Sequence, residues 1–316
     1  MYAKRSDCVN ELPNLVLTML QPMLTATAAR ARMAMDDHCI VSRTDRRRRC
    51  GHTDRSSENR SGGSMSLQNY EHLRIRGEDG IATITLSRAG GRNAFNTEFY
   101  AELRSAIREA EVDSSVGGVI VDSDADHFAV GGDLKEMLGY IEGDPPSWDL
   151  WKFRDSLPFE AIRACRKPTI AVVDGFCCGG GFATAISCDF IIASPRSKFG
   201  TPETKVGLID GLVGPALFGQ VPLPVLKYLL FSGELIAADY ARSVGLVFEV
   251  VDTESLHTRA QELLGQFAAN GPEIVAEYKR TFRSYEIPVN YEDTMRNLYS
   301  DPATRDRVRG FFTRKK

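Results

Sequence analysis

Val173-Asp174-Gly175-Phe176-Cys177-Cys178-Gly179-Gly180-Gly181-Phe182 lies between two apolar runs. Before it, Pro168 to Val173 (PTIAVV) reads as a buried strand. After it, Phe182 to Cys188 (FATAISC) reads as a short apolar helix. Three glycines therefore stand where a strand gives way to a helix. Glycine there lets another molecule come close to the backbone. The start of a helix also offers unpaired N–H groups and the positive end of its dipole. Together these favour negative charge. The same residues also suit a tight turn with close packing. The stretch is not the phosphate loop GxxxxGK[ST], because no Lys-Ser/Thr follows it.

A second stretch has the same form. Phe128-Ala129-Val130-Gly131-Gly132-Asp133-Leu134-Lys135-Glu136 follows the strand-like Val119-Ile120-Val121 and again leads glycine into a helix. A third, Phe199-Gly200-Thr201-Pro202-Glu203, comes about twenty residues beyond the triple glycine. In this order and spacing, F-A-x-G-G-D-L-K-E, D-G-x-x-x-G-G-G and F-G-x-P-E resemble the crotonase (enoyl-CoA hydratase/isomerase) superfamily. The resemblance runs from about Tyr70 to Lys316.

Composition restricts the classes open to the chain. At 316 residues, 43% hydrophobic and a formal charge of −3, it is an ordinary globular sequence. Its charge balance gives no reason to expect nucleic acid as a partner. No apolar run approaches the ~18 residues of a membrane span. Cys165, Cys177, Cys178 and Cys188 lie in or beside apolar runs, which suits buried free thiols in a reducing compartment, and the expected location is cytoplasmic. No cysteine or histidine spacing suggests a metal site.

Met1 to Ser64 is different in character. It lacks a sustained period, carries Arg46-Arg47-Arg48-Arg49 and ends in a Ser/Gly-rich tract, a composition typical of disorder. It has neither the clean apolar core of a secretory signal nor the low acid content of a transit peptide. Residues 1–64 are read as a disordered extension or upstream sequence, with Met65 the natural start of the folded part. Residues 65–223 are expected to form an α/β core and 224–316 a helical segment.

From Tyr70 the chain alternates strand and helix. His72 to Arg76 and Ile81 to Leu86 form a hairpin across Glu78-Asp79-Gly80. Ser87 to Arg92 reads as a loop. Asn96 or Thr97 caps a helix whose stripe is Phe99, Leu103, Ile107 and Ala110. Leu134 to Tyr140 and Phe153 to Ala164 are further helices, and Phe190 to Ala193 a strand. Ala237 to Val244, Ser255 to Asn270 and Glu273 to Arg283 read as helices, with Gly245 closing one and Pro272 opening another. This pattern argues an α/β fold. The resemblance implies more: a spiral of stacked ββα units, and a C-terminal helical segment that supports a homotrimer or homohexamer.

The resemblance also implies the chemistry. Crotonase relatives hold the thioester oxygen of an acyl-CoA with two backbone N–H groups as it becomes an enolate. Such preset donors are worth roughly 3–4 kcal/mol each. Carried over by motif position, the donors here are Gly132 and Gly180. Arg92-Asn93-Ala94-Phe95 resembles the segment along the CoA moiety, so Arg92 and Ala94 are expected to bind CoA, with Val130, Gly131 and Gly179 lining the substrate. CoA enters as part of the substrate, and neither a separate cofactor nor a metal is implied. Glu203 matches the family's catalytic glutamate, a carboxylate able to take a proton from one carbon and return it to another.

One position departs from the hydratase pattern. Hydratases of this family usually carry a second glutamate two residues after the third glycine, where this chain has Ala183. That favours double-bond isomerisation, which needs one base. Asp210, in Lys205-Val206-Gly207-Leu208-Ile209-Asp210-Gly211, resembles the catalytic aspartate of naphthoyl-CoA synthase and related ring-closing or ring-opening members. It also has an ordinary reading as a turn residue. Close to Glu203 it would raise one carboxyl pKa and set an acid beside a base, a basis for hydration or C–C chemistry. Asp133 is expected to cap the next helix and Lys135 to face solvent. Lys315 or Lys316 is a minor candidate for CoA phosphate, and Trp148, Trp151 and Phe153 for a bulky apolar acyl pocket. His127 and His257 have no Ser or Cys partner by spacing, so a hydrolase triad is not expected. A non-catalytic binding protein of the same fold would have lost Glu203 or the glycine donors, and all are present.

Overall fold

The computed structural model describes residues 69–88, 90, 92–142, 157–283 and 302–313. The Arg46–Arg49 run, Met65, Trp148, Trp151, Phe153, Lys315 and Lys316 lie outside the described residues. The first hairpin forms as expected. Strands β1 (Leu73–Glu78) and β2 (Ile81–Leu86) pair antiparallel, with Glu78 opposite Ile81. Asp79 and Gly80 both have positive φ, 50° and 75°. That is the two-residue turn whose twist matches that of the strands.

Helix α1 (Thr97–Val112) follows, and the Asn96 side chain caps it by accepting the Phe99 N–H at 2.8 Å. Its buried face holds Phe99, Leu103, Ile107 and Ala110, and also Tyr100 and Ala106. Strand β3 (Gly118–Ser123), helix α2 (Leu134–Glu142), helix α3 (Phe159–Ala164) and strand β4 (Thr169–Val173) come next. After β4 stand a three-residue strand β5 (Phe176–Cys178), helix α4 (Gly180–Ser187) and strands β6 (Phe190–Ala193) and β7 (Lys198–Gly200). A 3-10 turn (Pro202–Val206) leads to α5 (Val213–Leu217) and α6 (Leu223–Ser232). The rest comprises β8 (Ile236–Ala237), α7 (Ala238–Ser243), β9 (Glu249–Val250), α8 (Leu256–Ala269), α9 (Pro272–Arg283) and α10 (Pro302–Thr313).

The strands form two sheets. The larger has the order β1-β2-β3-β4-β6-β9, and beyond the first hairpin all its pairs are parallel. Its central strands are apolar on both faces, as the runs VIV and TIAVV imply. Val119, Val121, Ala171 and Val173 face the core that contains α1 and α4. The alternate residues Ile120, Ile170 and Val172 face Leu256, Ala260, Leu263 and Leu264 of α8. Strand β9 and helix α8 thus join the same sheet as strands far earlier in the chain.

The smaller sheet, β5-β7-β8, has no counterpart in the sequence reading, which passed from strand to helix through the triple-glycine turn. Two- and three-residue strands are too short to show an alternating pattern. They exist because Phe176, Cys177 and Cys178 find Lys198, Phe199 and Gly200 alongside.

Two polar pairs fasten the outer helices. Lys279 of α9 is buried and donates to Asp189 Oδ2 at 2.5 Å and to the Lys167 carbonyl at 2.9 Å. His257, at the start of α8, bonds the buried Asp122 of β3 through Nε2 at 2.8 Å. The hydrogen bond to Asp122 raises the His257 pKa, partly offset by desolvation. A raised folded-state pKa gives stability that is complete below the ordinary histidine value and fades as pH rises past the raised one. The melting-temperature deficit of His257→Ala is therefore expected to be larger at pH 6 than at pH 9. A deficit that does not change with pH would refute the charged pair.

Candidate active site

The separate glycine motifs are laced together by parallel bridges. Ala129 pairs with Cys177, through Ala129 N–H to the Phe176 carbonyl (3.0 Å) and Cys178 N–H to the Ala129 carbonyl (2.9 Å). On its other side Cys177 pairs with Phe199. Phe95 pairs with Gly132: its N–H donates to Gly131 O at 2.8 Å, and its carbonyl accepts from Asp133 N at 2.7 Å. Gly179 N–H then donates to Gly200 O at 3.0 Å. Segments more than a hundred residues apart in sequence meet within one patch of backbone.

The lacing leaves two N–H groups unspent. The Phe95 bridge uses the groups on either side of Gly132 and not the Gly132 N–H itself. Gly180 is the first residue of α4, and the first helical bond is the one Ala183 donates to Gly179 O at 2.8 Å. Its N–H is thus one of the donors at a helix start that no carbonyl of the helix accepts.

Glu203 sits between the two glycine loops. A Cβ on Gly179 would fall 1.8 Å from Glu203 Oε1, and one on Gly131 3.5 Å from it. Gly179 also has φ 49° and ψ −121°, a conformation that only glycine adopts cheaply. Glycine is needed at 179 for both reasons. The 3-10 turn that carries Glu203 starts at Pro202 and is closed by Gly207 in the left-handed region.

The electrostatics of this carboxyl are unusual. Glu203 Oε2 is closed off from solvent and has no hydrogen-bond partner. Burial, reinforced by the charge of Asp210, pushes the Glu203 pKa up to about 8. Asp210 is raised too, chiefly by burial, against the opposing effect of two backbone donors. Those donors are Leu212 N (2.8 Å) and Val213 N (2.7 Å), both on Oδ1, so Asp210 holds the start of α5 as well as facing Glu203. The two titrate as a pair. Cys178 is close enough to Glu203 to feel its charge, and burial pushes the thiol up to about 12. Such a thiol is inert as a nucleophile at neutral pH.

The remaining expected residues fall as follows. Arg92 is exposed with φ 47°, on the loop between β2 and α1. Ala94 is half-buried, and its carbonyl accepts from the Arg88 guanidinium. Val130 is half-buried and Gly131 buried, with φ 104°. Ala183 is 2% exposed and belongs to the core, so α4 brings no second carboxylate to the site. Asp133 caps α2, its Oδ1 accepting from Lys135 N at 2.9 Å and Glu136 N at 3.4 Å, and Lys135 is exposed. His127 accepts the Phe176 N–H at 3.4 Å, and His257 is held by Asp122. The four cysteines Cys165, Cys177, Cys178 and Cys188 are free and buried.

Sequence reasoning missed three residues here. Arg88, read as loop, bonds Asp133 and Ala94. Asn93 is buried with φ 54°. It donates to the Leu86 and Phe128 carbonyls and to Ser123 Oγ, and accepts from Arg88 N. Tyr100 lies just off the helical stripe. Its hydroxyl abuts Gly180, 1.9 Å from where a Cβ there would be. Asn93 stands within the quoted Arg92–Phe95 segment, but neither that motif nor any periodicity indicates these contacts. Among the described residues, the grouping able to offer three metal ligands is Glu71, His72 and Glu98, whose ligand atoms lie within 4.8 Å of one another. Both glutamates there are exposed, an arrangement common without an ion.

A model of the enoyl-CoA hydratase/isomerase family matches residues 76–301 of this chain. Among curated relatives, a probable enoyl-CoA hydratase of Rhizobium meliloti is 36% identical over 200 residues, covering 62% of this chain and 74% of that one. The short-chain-enoyl-CoA hydratase of Clostridium acetobutylicum is 34% identical over 199 residues, again 62% and 74%. A crystal structure of an enoyl-CoA hydratase/isomerase from Xanthobacter autotrophicus superposes with a TM-score of 0.62 at 30% identity, over 76% of this chain and 87% of that one.

The raised Glu203 pKa has a stability consequence. The folded state binds this proton more tightly than the unfolded chain, so stability from this group is full below about pH 4.5 and is lost as pH climbs to about 8. Glu203→Gln, which cannot ionise, is expected to melt higher than the parent at pH 9, with the gain shrinking towards pH 5. Equal melting temperatures at pH 9 would mean that the carboxyl is not buried as described.

Proposed function

Since the chain belongs to the enoyl-CoA hydratase/isomerase family of acyl-CoA-processing enzymes, we propose that it shifts a double bond in an enoyl-CoA, with Glu203 as the proton carrier. The thioester oxygen takes the N–H groups of Gly132 and Gly180. Negative charge grows on that oxygen as a proton leaves C2, and donors already in place stabilise it without reorganising. Glu203 accepts the C2 proton and returns it at C4. The C2–H bond breaks, the double bond moves from C3–C4 to C2–C3, and a C4–H bond forms, so composition is unchanged. One carboxyl group suffices.

The observation that carries this reading is Ala183. It is an apolar core residue where a second glutamate would be needed to hold water. The base must be ionised, so turnover is expected to increase with pH towards about 8, to which burial and the Asp210 charge push the Glu203 pKa.

A second reading is supported by Asp210. Its Oδ1 accepts the Leu212 and Val213 N–H groups, and its charge couples to Glu203. As a second carboxylate it would activate water for hydration, or assist C–C bond chemistry on a cyclic or β-keto acyl-CoA. The hydratase names of the relatives are compatible with it.

Assembly is part of the proposal. Phe218, Leu223, Tyr228, Phe231, Tyr240 and Phe248 are large apolar residues left exposed in one chain. Side chains of this kind suit a contact between copies, and we assign them to a homotrimer or homohexamer. No helix among the described residues is long and apolar enough to cross a membrane.

Matched 2-enoyl-CoA and 3-enoyl-CoA substrates in D₂O, read by mass spectrometry, separate the two chemistries. Deuterium uptake without added water, lost in Glu203→Gln, is the expected result. A gain of one water would transfer the assignment to the Asp210 reading. For assembly, native mass spectrometry of the full chain is expected to give three or six copies, and a monomer at micromolar concentration would refute it.

A further inference from the structure

We propose that Arg88 is a positioning residue that fixes the Gly132 N–H for its oxyanion. The inference rests on the reading of Gly132 as a donor given above. The peptide that carries the Gly132 N–H is gripped at its carbonyl end by the Phe95 N–H on Gly131 O, 2.8 Å, but it joins two glycines, and Gly131 has φ 104°, a conformation that glycine adopts cheaply. The donor keeps its aim only while that bridge keeps its place, because a displaced donor forfeits the benefit of preorganisation.

Arg88 supplies that hold from across the Phe95–Gly132 bridge. One guanidinium nitrogen, Nη2, bonds Asp133 Oδ2 at 2.8 Å, directly after Gly132. The other, Nη1, bonds the Ala94 carbonyl, directly before Phe95. The fork therefore spans both strands of the bridge one residue from the paired positions. Arg88 is itself fixed: its backbone N–H donates to Asn93 Oδ1 at 2.9 Å, and Asn93 is tied to β2, β3 and the Phe128 carbonyl.

Asp133 divides its carboxylate between two tasks. Oδ1 caps α2, and Oδ2 receives Arg88. Burial alone would raise its pKa, but the Arg88 bond and the backbone donors lower it, so it stays charged and the pair persists. Both side chains are shielded, with 20% and 19% of their surface exposed. The two acceptors diverge, one a carbonyl and one a carboxylate. A planar fork reaches both, while a lysine ammonium is a single point on a flexible stem.

The test uses the full chain and butyryl-CoA labelled with ¹³C at the thioester carbonyl, read by infrared difference spectroscopy. In the parent, the bound carbonyl band is expected to move to lower frequency than in free ligand. In Arg88→Ala, the band is expected to return most of the way to the free value. Turnover should fall by roughly 10- to 100-fold, less than the roughly 100- to 1,000-fold loss on removing an oxyanion donor outright, with KM changed much less than kcat. Millimolar guanidinium is expected to restore part of both readings, and Arg88→Lys to keep the melting temperature while recovering only part of the shift. A full downshift retained in Arg88→Ala overturns the proposal. A parent band with no downshift overturns the oxyanion reading beneath it, and this proposal with it. Should Arg88→Ala not fold, Asp133→Asn carries the same test, since it keeps a capping oxygen but removes the charge that faces Arg88.

Discussion

Cys177 is the residue on which the site's geometry hangs, through its backbone and not its thiol. The three-residue strand around it is bridged on one side to Ala129 and on the other to Phe199. That places the Gly131-Gly132 loop, the Gly179-Gly180 helix start and the Glu203 turn within a few residues of one shared ladder. Phe128, Phe182 and Phe199, from the segments that the ladder joins, are buried in the main core. Among the described residues, the N–H groups of Gly132 and Gly180 beside the ladder are given no backbone partner.

The same enclosure sets the electrostatics. A low-dielectric pocket strengthens donors aimed at a developing negative charge. It also penalises any carboxylate placed in it, which is why Glu203 titrates near 8 and not near its ordinary value. A group tuned in this way is a poor stabiliser of the fold at alkaline pH and a better proton carrier near neutrality. Asp210 shows the compromise in another form. It serves α5 as a backbone acceptor while its charge tunes its neighbour. Asp133, by contrast, is kept ionised by Arg88 and the start of α2, and so works as a fixed anchor.

Particular elements show why sequence reading succeeded in some places and failed in others. PTIAVV and the stripe Phe99, Leu103, Ile107, Ala110 were legible because hydrophobic period is a local property, and each formed the expected element. Asn96 was a legible cap for the same reason. The second sheet was not, since β5, β7 and β8 form strands only where the fold lays distant segments alongside them. Arg88, Asn93 and Tyr100 were equally invisible. Their roles depend on partners that the fold brings in from other segments, and no spacing rule records such partners.

The sequence by itself determined which residue types stand in the site: glycines where backbone must be bare, a glutamate after a proline turn, and an alanine in place of a second acid. The glycine at 179 suits its own backbone, φ 49° and ψ −121°, whereas the collision of a side chain there with Glu203 exists only in the folded chain. It also determined an α/β core, because strands apolar on both faces require helices to cover them. Only the tertiary structure decided how the pieces act together. It set which N–H groups remain unpaired, coupled Glu203 to Asp210, and laid Arg88 across the bridge beside Gly132. Those properties arise from distances between segments far apart in the chain, and burial and pairing have no value until the chain has closed around them.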